Sequence, residues 1–166
     1  MTRRFTSELL PIIGPKEDIP APDMGTNDKV MARIMNQYGK YHGFSPACVP
    51  GKPVEMHGLP GREEATGRGV GIITLKLLGR MNRKPQSTRV AIQGFGNVGS
   101  YLARFLAQDG AKVVAISDSA GGVYNPNGID VEAAFARKRE SGSIGGLPGT
   151  DAISNGSRYL WYSSIP

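Results

Sequence analysis

Three glycines and one aspartate form the clearest chemical pattern in this chain. Gly94, Gly96 and Gly99 have G-x-G-x-x-G spacing, in which the glycines permit a tight turn, close approach of a pyrophosphate and close helix packing. Asp118 follows at about the spacing, roughly 20 residues, at which an acidic side chain meets the adenine ribose of NAD. The pattern predicts a dinucleotide site and indicates redox chemistry.

The elements around the glycines are those that such a site needs. The stretch from Arg89 has the pattern of a buried strand, a glycine turn and an amphipathic helix that begins near Asn97, where the helix dipole favours an anion. A second apolar run, 112–117, ends at Asp118. Helical spacing predicts that Val98, Leu102, Phe105 and Leu106 face the sheet. Glycine turns of this kind also occur for purely structural reasons, but the combination of elements favours a cofactor site.

The remaining elements are predicted from periodicity and turn residues. Helices are expected over 28–41, capped by Asn27 or Asp28, over 62–79 and over 129–139, with a flexible glycine-rich loop at 141–150. The apolar face of the helix over 28–41 comprises Val30, Met31, Ile34, Met35, Tyr38 and Tyr41. The core candidates of the helix over 62–79 are Val70, Ile73, Leu77 and Leu78. Alternating strands and helices predict an α/β fold with a parallel sheet.

Only two strands of that sheet are evident, whereas a complete doubly wound domain has about six. We therefore predict an incomplete Rossmann-type doubly wound parallel sheet.

Composition excludes several classes of protein. The 166 residues are 39% hydrophobic, without an apolar run long enough to span a bilayer or an apolar N-terminal signal stretch. Cys48 is the only cysteine, which excludes an internal disulfide and fits a reducing cytoplasm. Histidine and cysteine never occur at zinc-ligand spacing, so no metal is predicted. We expect a cytoplasmic protein with no membrane partner.

The net charge of +6 raises the question of nucleic-acid binding. A basic cluster comprises Lys76, Arg80, Arg83, Lys84 and Arg89. These residues fall at a helix end and in the following loop, where cations suit the helix dipole and water solvates them. Because no aromatic residue is interleaved with them, a nucleic-acid partner is not predicted.

Two longer motifs are more specific than the glycine turn. The segments Ile19-Pro-Ala-Pro-Asp-Met-Gly-Thr and Gly61-Arg-Glu-Glu-Ala-Thr-Gly-Arg-Gly-Val resemble signatures of glutamate dehydrogenases, in the Glu/Leu/Phe/Val dehydrogenase family. The resemblance extends from Thr2 to about Asn155. It implies oxidative deamination of L-glutamate to 2-oxoglutarate and ammonia, with hydride transfer to NAD or NADP. It also implies a homo-oligomer, usually a hexamer.

The resemblance assigns roles to individual residues. Asp23 matches the catalytic aspartate that moves protons to and from the amino group, although an aspartate after proline is also a common turn residue. Thr66 matches a threonine that binds the nicotinamide carboxamide; the alternative is a helix threonine bonded to its own backbone. Arg62 matches an arginine near the nicotinamide, and its alternative is a solvated side chain.

The cofactor assignment combines the glycine turn with matched positions. The cofactor-contacting residues are Gly94, Phe95, Gly96, Asn97, Val98, Gly99, Ser117 and Asp118, together with Arg62 and Thr66. For Val98, a place in the core is the alternative to direct contact. Asp118 is expected to repel a 2′-phosphate and so to favour NAD, while Ser119, Asn125 and Asn127 offer hydrogen bonds for NADP.

The resemblance also predicts the domain organisation. Residues 1–58 are expected to form the C-terminal part of the substrate (dimerisation) domain, 59–155 the N-terminal part of the dinucleotide domain, and 156–166 a divergent tail.

The sequence lacks the family's Gly-Gly-x-Lys-Gly-Gly segment, which carries an upstream substrate-binding or catalytic lysine. The chain therefore resembles a truncated member and is expected to be weakly active or inactive alone. Alternatives are a noncatalytic nucleotide-binding or interaction fragment that associates with an intact dehydrogenase, or a degraded gene without a stable product.

Overall fold

The structure, a computed structural model, describes residues 1–153. These residues form five α-helices and four β-strands. The helices are α1 (Thr2–Leu9), α2 (Asp28–His42), α3 (Ala65–Arg80), α4 (Asn97–Gln108) and α5 (Val131–Ser141). The strands are β1 (Arg89–Gln93), β2 (Lys112–Ser117), β3 (Gly122–Tyr124) and β4 (Asp151–Ile153). Single 3₁₀ turns occur at Pro46–Cys48, Val54–Met56 and Pro85–Ser87. The chain divides into two compact units between Glu63 and Glu64. The expected tail at 156–166 lies outside the described residues.

The first unit is organised around α2. Asn27 caps the helix as predicted, because its side chain accepts a hydrogen bond from the N–H of Val30 at 3.1 Å. Its buried apolar side chains are Met31, Ile34, Met35 and Tyr38, which pack with Ile13, Cys48 and Val49. Tyr41 is exposed, so its predicted place on the apolar face is wrong. The core of this unit is therefore one face of α2 and the segments that cover it, which include helix α1 through Leu9.

The second unit contains a four-stranded sheet in the order β1-β2-β3-β4. Strands β1 and β2 are parallel, as predicted, whereas β3 pairs antiparallel with both β2 and β4. The two antiparallel strands are three residues long, too short for their sequence to show a periodic pattern. The fold is α/β, with a sheet that is parallel only in the pair that carries the glycine turn.

The core of the second unit surrounds β2. Val113, Val114, Ala115 and Ile116 are all buried, as expected of a central strand covered on both faces. Ile144 and Leu147 join this core, so the description of 141–150 as a flexible loop is wrong for part of its length. Two apolar side chains separated by glycines show no periodicity from which their burial could be predicted.

Helix α3 packs on α4 through glycines rather than through its apolar stripe. A Cβ on Gly67 would lie 2.7 Å from the carbonyl oxygen of Val98, and one on Gly71 would lie 3.5 Å from the Cβ of Phe105. Of the four predicted core residues of α3, only Leu78 is buried; Val70, Ile73 and Leu77 are 40%, 67% and 55% exposed. The predicted core face of this helix is therefore wrong for three of its four residues.

Two helix starts also differ from expectation. Helix α3 begins at Ala65 rather than at residue 62. Helix α5 begins at Val131, because Asp130 caps it by accepting a hydrogen bond from the N–H of Ala133 at 3.0 Å. Ile129, the predicted first residue, is instead buried in the core ahead of the helix.

Candidate functional site

The glycine turn joins the end of β1 to the start of α4, and each glycine has a separate reason to be there. Gly94 has a φ of +92°, a conformation that side chains other than glycine rarely adopt. A Cβ on Gly99 would collide with the carbonyl oxygen of Gly94, whereas a Cβ on Gly96 would meet nothing within 4 Å. Open space at Gly96 leaves room for a ligand against the backbone. The turn therefore has the shape that a pyrophosphate requires.

The first turn of α4 provides the matching electrostatics. Gly96 is the N-cap residue and has no side chain with which to cap the helix. The backbone N–H groups of a first helical turn have no acceptor within the helix, and they lie at its positive end. An anion seated at Gly96 would meet these groups directly.

The predicted residues of the second strand lie beside this turn. Ser117 is the register partner of Gln93 across the parallel pair. Its hydroxyl oxygen lies 3.4 Å from the N–H of Gly94, a long hydrogen bond that links the carboxyl ends of β1 and β2. Ligands of open α/β sheets bind at this end of the strands.

Asp118, the next residue, makes contacts that the sequence does not predict. Its side chain is only 3% exposed. One carboxylate oxygen accepts hydrogen bonds from the N–H groups of Ala120 at 2.8 Å and Gly121 at 3.3 Å. The other accepts from the ammonium of Lys138 at 2.8 Å and from the N–H of Ile144 at 3.0 Å. Both oxygens are thus engaged by the protein itself.

These contacts keep the Asp118 carboxylate charged. Burial of the group raises its pKa, but the hydrogen bonds from Lys138, Ile144 and Ala120 and the charge of Lys138 together lower the pKa to about 2. Lys138 is part-buried in this ion pair. Sequence reasoning missed Lys138, and no local pattern could have identified it.

Three predicted residues at the start of α4 occupy different environments. Phe95 is fully buried in the core, so it can meet a ligand only through its backbone. Asn97 is exposed at the first helical position. Val98 is 40% exposed, so the expectation that it faces the sheet is wrong, and its side chain is available to a ligand.

Thr66 directly precedes Gly67, the residue at which α3 packs closely on α4. Thr66 is exposed in the first turn of α3. A Cβ on Gly67 would lie 2.7 Å from the carbonyl oxygen of Val98 and 2.8 Å from the Cβ of Tyr101. The first turn of α3 therefore packs against the N-terminal half of α4. Sequence reasoning missed Gly67 and Gly71, although their four-residue spacing places both on one face of a helix.

The other two predicted residues belong to the first unit. Asp23 is exposed in a turn in which the Thr26 hydroxyl donates to the Asp23 carbonyl oxygen at 2.7 Å and accepts from the Asp23 N–H at 2.7 Å. One Asp23 carboxylate oxygen also accepts from the N–H of Met24 at 2.7 Å. Arg62 is exposed in a turn that precedes α3. The turn role anticipated for Asp23 is therefore present.

Two further properties bear on the class of protein. Among residues 1–153, no group of three or more His, Cys, Asp or Glu side chains is placed to hold a metal ion. Over the same described residues, none of the helices has the length and apolarity needed to cross a bilayer.

Comparison with known families identifies the class. Residues 58–164 match the profile described as Glutamate/Leucine/Phenylalanine/Valine dehydrogenase. Residues 1–40 match the profile described as the Glu/Leu/Phe/Val dehydrogenase dimerisation domain. Since the first profile alone matches more than half of the chain, the chain belongs to the Glu/Leu/Phe/Val dehydrogenase family of oxidoreductases. The predicted resemblance is confirmed.

Individual relatives are glutamate dehydrogenases. The chain is 48% identical over 157 residues to glutamate dehydrogenase of Thermotoga maritima, covering 93% of this chain and 38% of that relative. It resembles the hetero-hexameric glutamate dehydrogenase of Thermus thermophilus, with a TM-score of 0.84, 38% identity, and coverage of 92% of this chain and 36% of the other.

The chain also resembles Plasmodium falciparum glutamate dehydrogenase, with a TM-score of 0.85 and 30% identity. The match covers 93% of this chain and 35% of the other. The chain thus spans little more than a third of the length of these relatives.

Proposed function

We propose that this chain supplies the cofactor-binding elements and a proton-transfer aspartate for the oxidative deamination of L-glutamate to 2-oxoglutarate and ammonia. The family and its glutamate dehydrogenase relatives support this reaction. The observation that carries the cofactor half is the glycine turn, where Gly99 packs so closely on Gly94 that no side chain fits and Gly96 faces open space. NAD or NADP, when bound, accepts the hydride that leaves the substrate carbon.

Different residues of the second unit would bind different parts of the cofactor. The backbone of Gly96 and the first turn of α4, including Asn97 and the exposed Val98, would hold the pyrophosphate by N–H donation and contact. The Thr66 hydroxyl, on the first turn of α3, is proposed to bind the nicotinamide carboxamide. Ser117 would stand beside the adenosine half, at the end of β2.

The residues of the first unit would act on the substrate side. Asp23 is proposed to take a proton from the substrate ammonium group, because an amine must lose protons before its carbon can give up hydride. The hydrogen bonds to Thr26 and Met24 fix its backbone and one carboxylate oxygen. Arg62 is proposed to lie near the nicotinamide, as the family resemblance implies.

The 166 residues are not expected to complete this reaction alone. They contain no Gly-Gly-x-Lys-Gly-Gly segment, and they span 38% of the Thermotoga relative. Loss of one donor that stabilises developing charge costs roughly 100- to 1,000-fold in rate. We expect no measurable glutamate-dependent NADH production from the isolated chain, and robust turnover would refute the need for the lysine of that segment.

A noncatalytic role is the second candidate. Val70, Ile73 and Leu77 form an exposed apolar stripe on α3, and exposed apolar surface of this kind often marks an interaction site. Residues 1–40 also match a dimerisation domain, and the Thermus relative is a hetero-hexamer. A nucleotide-binding fragment that joins an intact dehydrogenase would use both features. Co-purification with such an enzyme would support this role, and a strictly monomeric chain would oppose it.

The site itself is tested by titrating NAD and NADP into the purified chain and into two glycine variants. Gly99→Ala would force a Cβ into the Gly94 carbonyl oxygen, so binding should fall at least tenfold. Gly69→Ala is the matched control, because a Cβ there meets nothing within 4 Å and the residue lies in the same unit. Equal binding by Gly99→Ala and wild type, or no binding by wild type, would refute the proposed site.

The same titration addresses the choice of nucleotide. We propose NAD as the cofactor, with NADP as the alternative, in a cytoplasmic setting that suits the single free cysteine, Cys48. Tighter binding of NADP than of NAD would overturn this preference.

A further inference from the structure

We propose that Asp118 does not accept a hydrogen bond from the cofactor ribose but positions the turn at 118–121, which follows β2. It would then contribute little to discrimination between NAD and NADP. The inference rests on the proposed nucleotide site. It differs from the expectation that an acid at this position binds the ribose and excludes a 2′-phosphate.

The first argument is the number of hydrogen bonds that the carboxylate already accepts. An ionised carboxylate offers about four lone-pair sites. Four donors of the protein use them: the N–H groups of Ala120, Gly121 and Ile144 and the ammonium of Lys138, all within 3.3 Å. A ribose hydroxyl would have to displace one of these donors. Because the Asp118 side chain is 3% exposed, it also offers a hydroxyl from outside almost no carboxylate surface to reach.

The second argument is charge. A free carboxylate at the end of β2 would repel a 2′-phosphate, but the Asp118 charge is paired with the Lys138 ammonium 2.8 Å away. The exposed residues of the turn, Ser119 and Ala120, carry no charge. A 2′-phosphate near this turn would therefore meet a neutralised pair and uncharged neighbours rather than a free anion.

The third argument is what the carboxylate holds together. Its four partners belong to three separate segments: the turn at 118–121, helix α5 through Lys138, and the loop that contains Ile144. Ile144 is fully buried, so this loop is anchored in the core. Asp118 thereby fixes the backbone directly after Ser117, where the adenosine half of a dinucleotide would lie.

The test compares the dissociation constants of NAD and NADP for wild type, Asp118→Asn, Lys138→Met and Lys138→Arg. If Asp118 positions the turn, Asp118→Asn and Lys138→Met should weaken both nucleotides by similar factors, so that the ratio of the two constants changes less than twofold. Lys138→Arg should bind both nucleotides nearly as tightly as wild type, because the arginine keeps the positive charge beside Asp118. Asp109→Asn, an exposed residue of the same unit, controls for the change in net charge.

A direct ribose contact predicts a different pattern. Asp118→Asn would then shift the NAD-to-NADP ratio at least tenfold in favour of NADP, while Lys138→Met would not weaken NAD. That result would overturn the inference.

Backbone hydrogen exchange tests, without any nucleotide, whether Asp118 holds these segments in place. Asp118→Asn should speed exchange at Ala120, Gly121 and Ile144, whereas unchanged exchange there would also overturn the inference. If wild type binds neither nucleotide, the proposed function fails, and the exchange result still decides whether Asp118 holds this turn.

Discussion

The buried pair of Asp118 and Lys138 predicts how the stability of the second unit depends on pH. The pKa of Asp118 is lowered from 3.8 to about 2 in the folded protein, where Lys138 and backbone N–H groups bind the ionised form. A carboxyl group with a lowered pKa stabilises the fold above its unfolded pKa, and this stabilisation is lost as the pH falls towards the folded pKa. The relevant range is therefore from about pH 4 to about pH 2.

The magnitude follows from the shift. A tenfold change in proton affinity corresponds to about 1.4 kcal/mol, so the fall of the Asp118 pKa from 3.8 to about 2 contributes about 2.5 kcal/mol to the free energy of unfolding at pH 7. Since the side chain is 3% exposed, solvent screening reduces this value little. At pH 3, midway through the transition, about half of the contribution should remain.

The assay is urea unfolding of wild type and Asp118→Asn, followed by circular dichroism at pH 7 and pH 3. Other carboxylates titrate in both proteins, so the difference between their free energies of unfolding isolates Asp118. We expect wild type to be more stable by about 2.5 kcal/mol at pH 7 and for this advantage to fall by about half at pH 3. A difference below 0.5 kcal/mol at pH 7, or one that does not change with pH, would refute the assigned ion pair.

Three further predictions concern packing and capping. Gly67→Ala should destabilise the second unit by about 1–3 kcal/mol, because its Cβ would lie 2.7 Å from the Val98 carbonyl oxygen; a rise in melting temperature would contradict this. Gly69→Ala, with open space at the Cβ, should instead stabilise α3 by about 0.5–1 kcal/mol in the same melting experiment. Asn27→Ala should cost about 1 kcal/mol of unfolding free energy by removing the α2 cap, and an unchanged urea midpoint would contradict that role.

Periodicity and glycine chemistry made the centre of the second unit predictable. The order of β1, glycine turn, α4 and β2 follows from two apolar runs and the spacing of Gly94, Gly96 and Gly99, all of which are local features. The cap at Asn27 was predictable for the same reason, since a cap depends on residues three apart. These parts of the fold depend on contacts within one element or between neighbours.

The errors arise where distant residues decide the outcome. The apolar stripe of α3 suggested a core face, but close packing of Gly67 and Gly71 on α4 turned Ile73 and Leu77 outwards. Nothing near Asp118 in the sequence indicates that Lys138 and Ile144 occupy its carboxylate. Such tertiary contacts override local propensity and cannot be inferred from spacing.

In the candidate site, too, some residues were predictable from local sequence and others were not. The glycine turn and Ser117 were placed by sequence at the carboxyl ends of β1 and β2, where the structure brings them together. Asp23 and Arg62 were assigned through family resemblance rather than local chemistry, and their roles stay predictions. The turn around Asp23, by contrast, follows from its neighbours Pro22 and Thr26.

The central claim is that the glycine turn of the second unit binds a dinucleotide, and an amide chemical-shift titration tests it most directly. On addition of NAD to the ¹⁵N-labelled chain, the N–H signals of Gly94, Gly96, Gly99 and Ser117 should shift in a saturable, concentration-dependent manner. The same signals should not shift with adenosine-free nicotinamide mononucleotide at equal concentration. Saturable shifts confined to other segments, or no shifts with NAD, would contradict the claim.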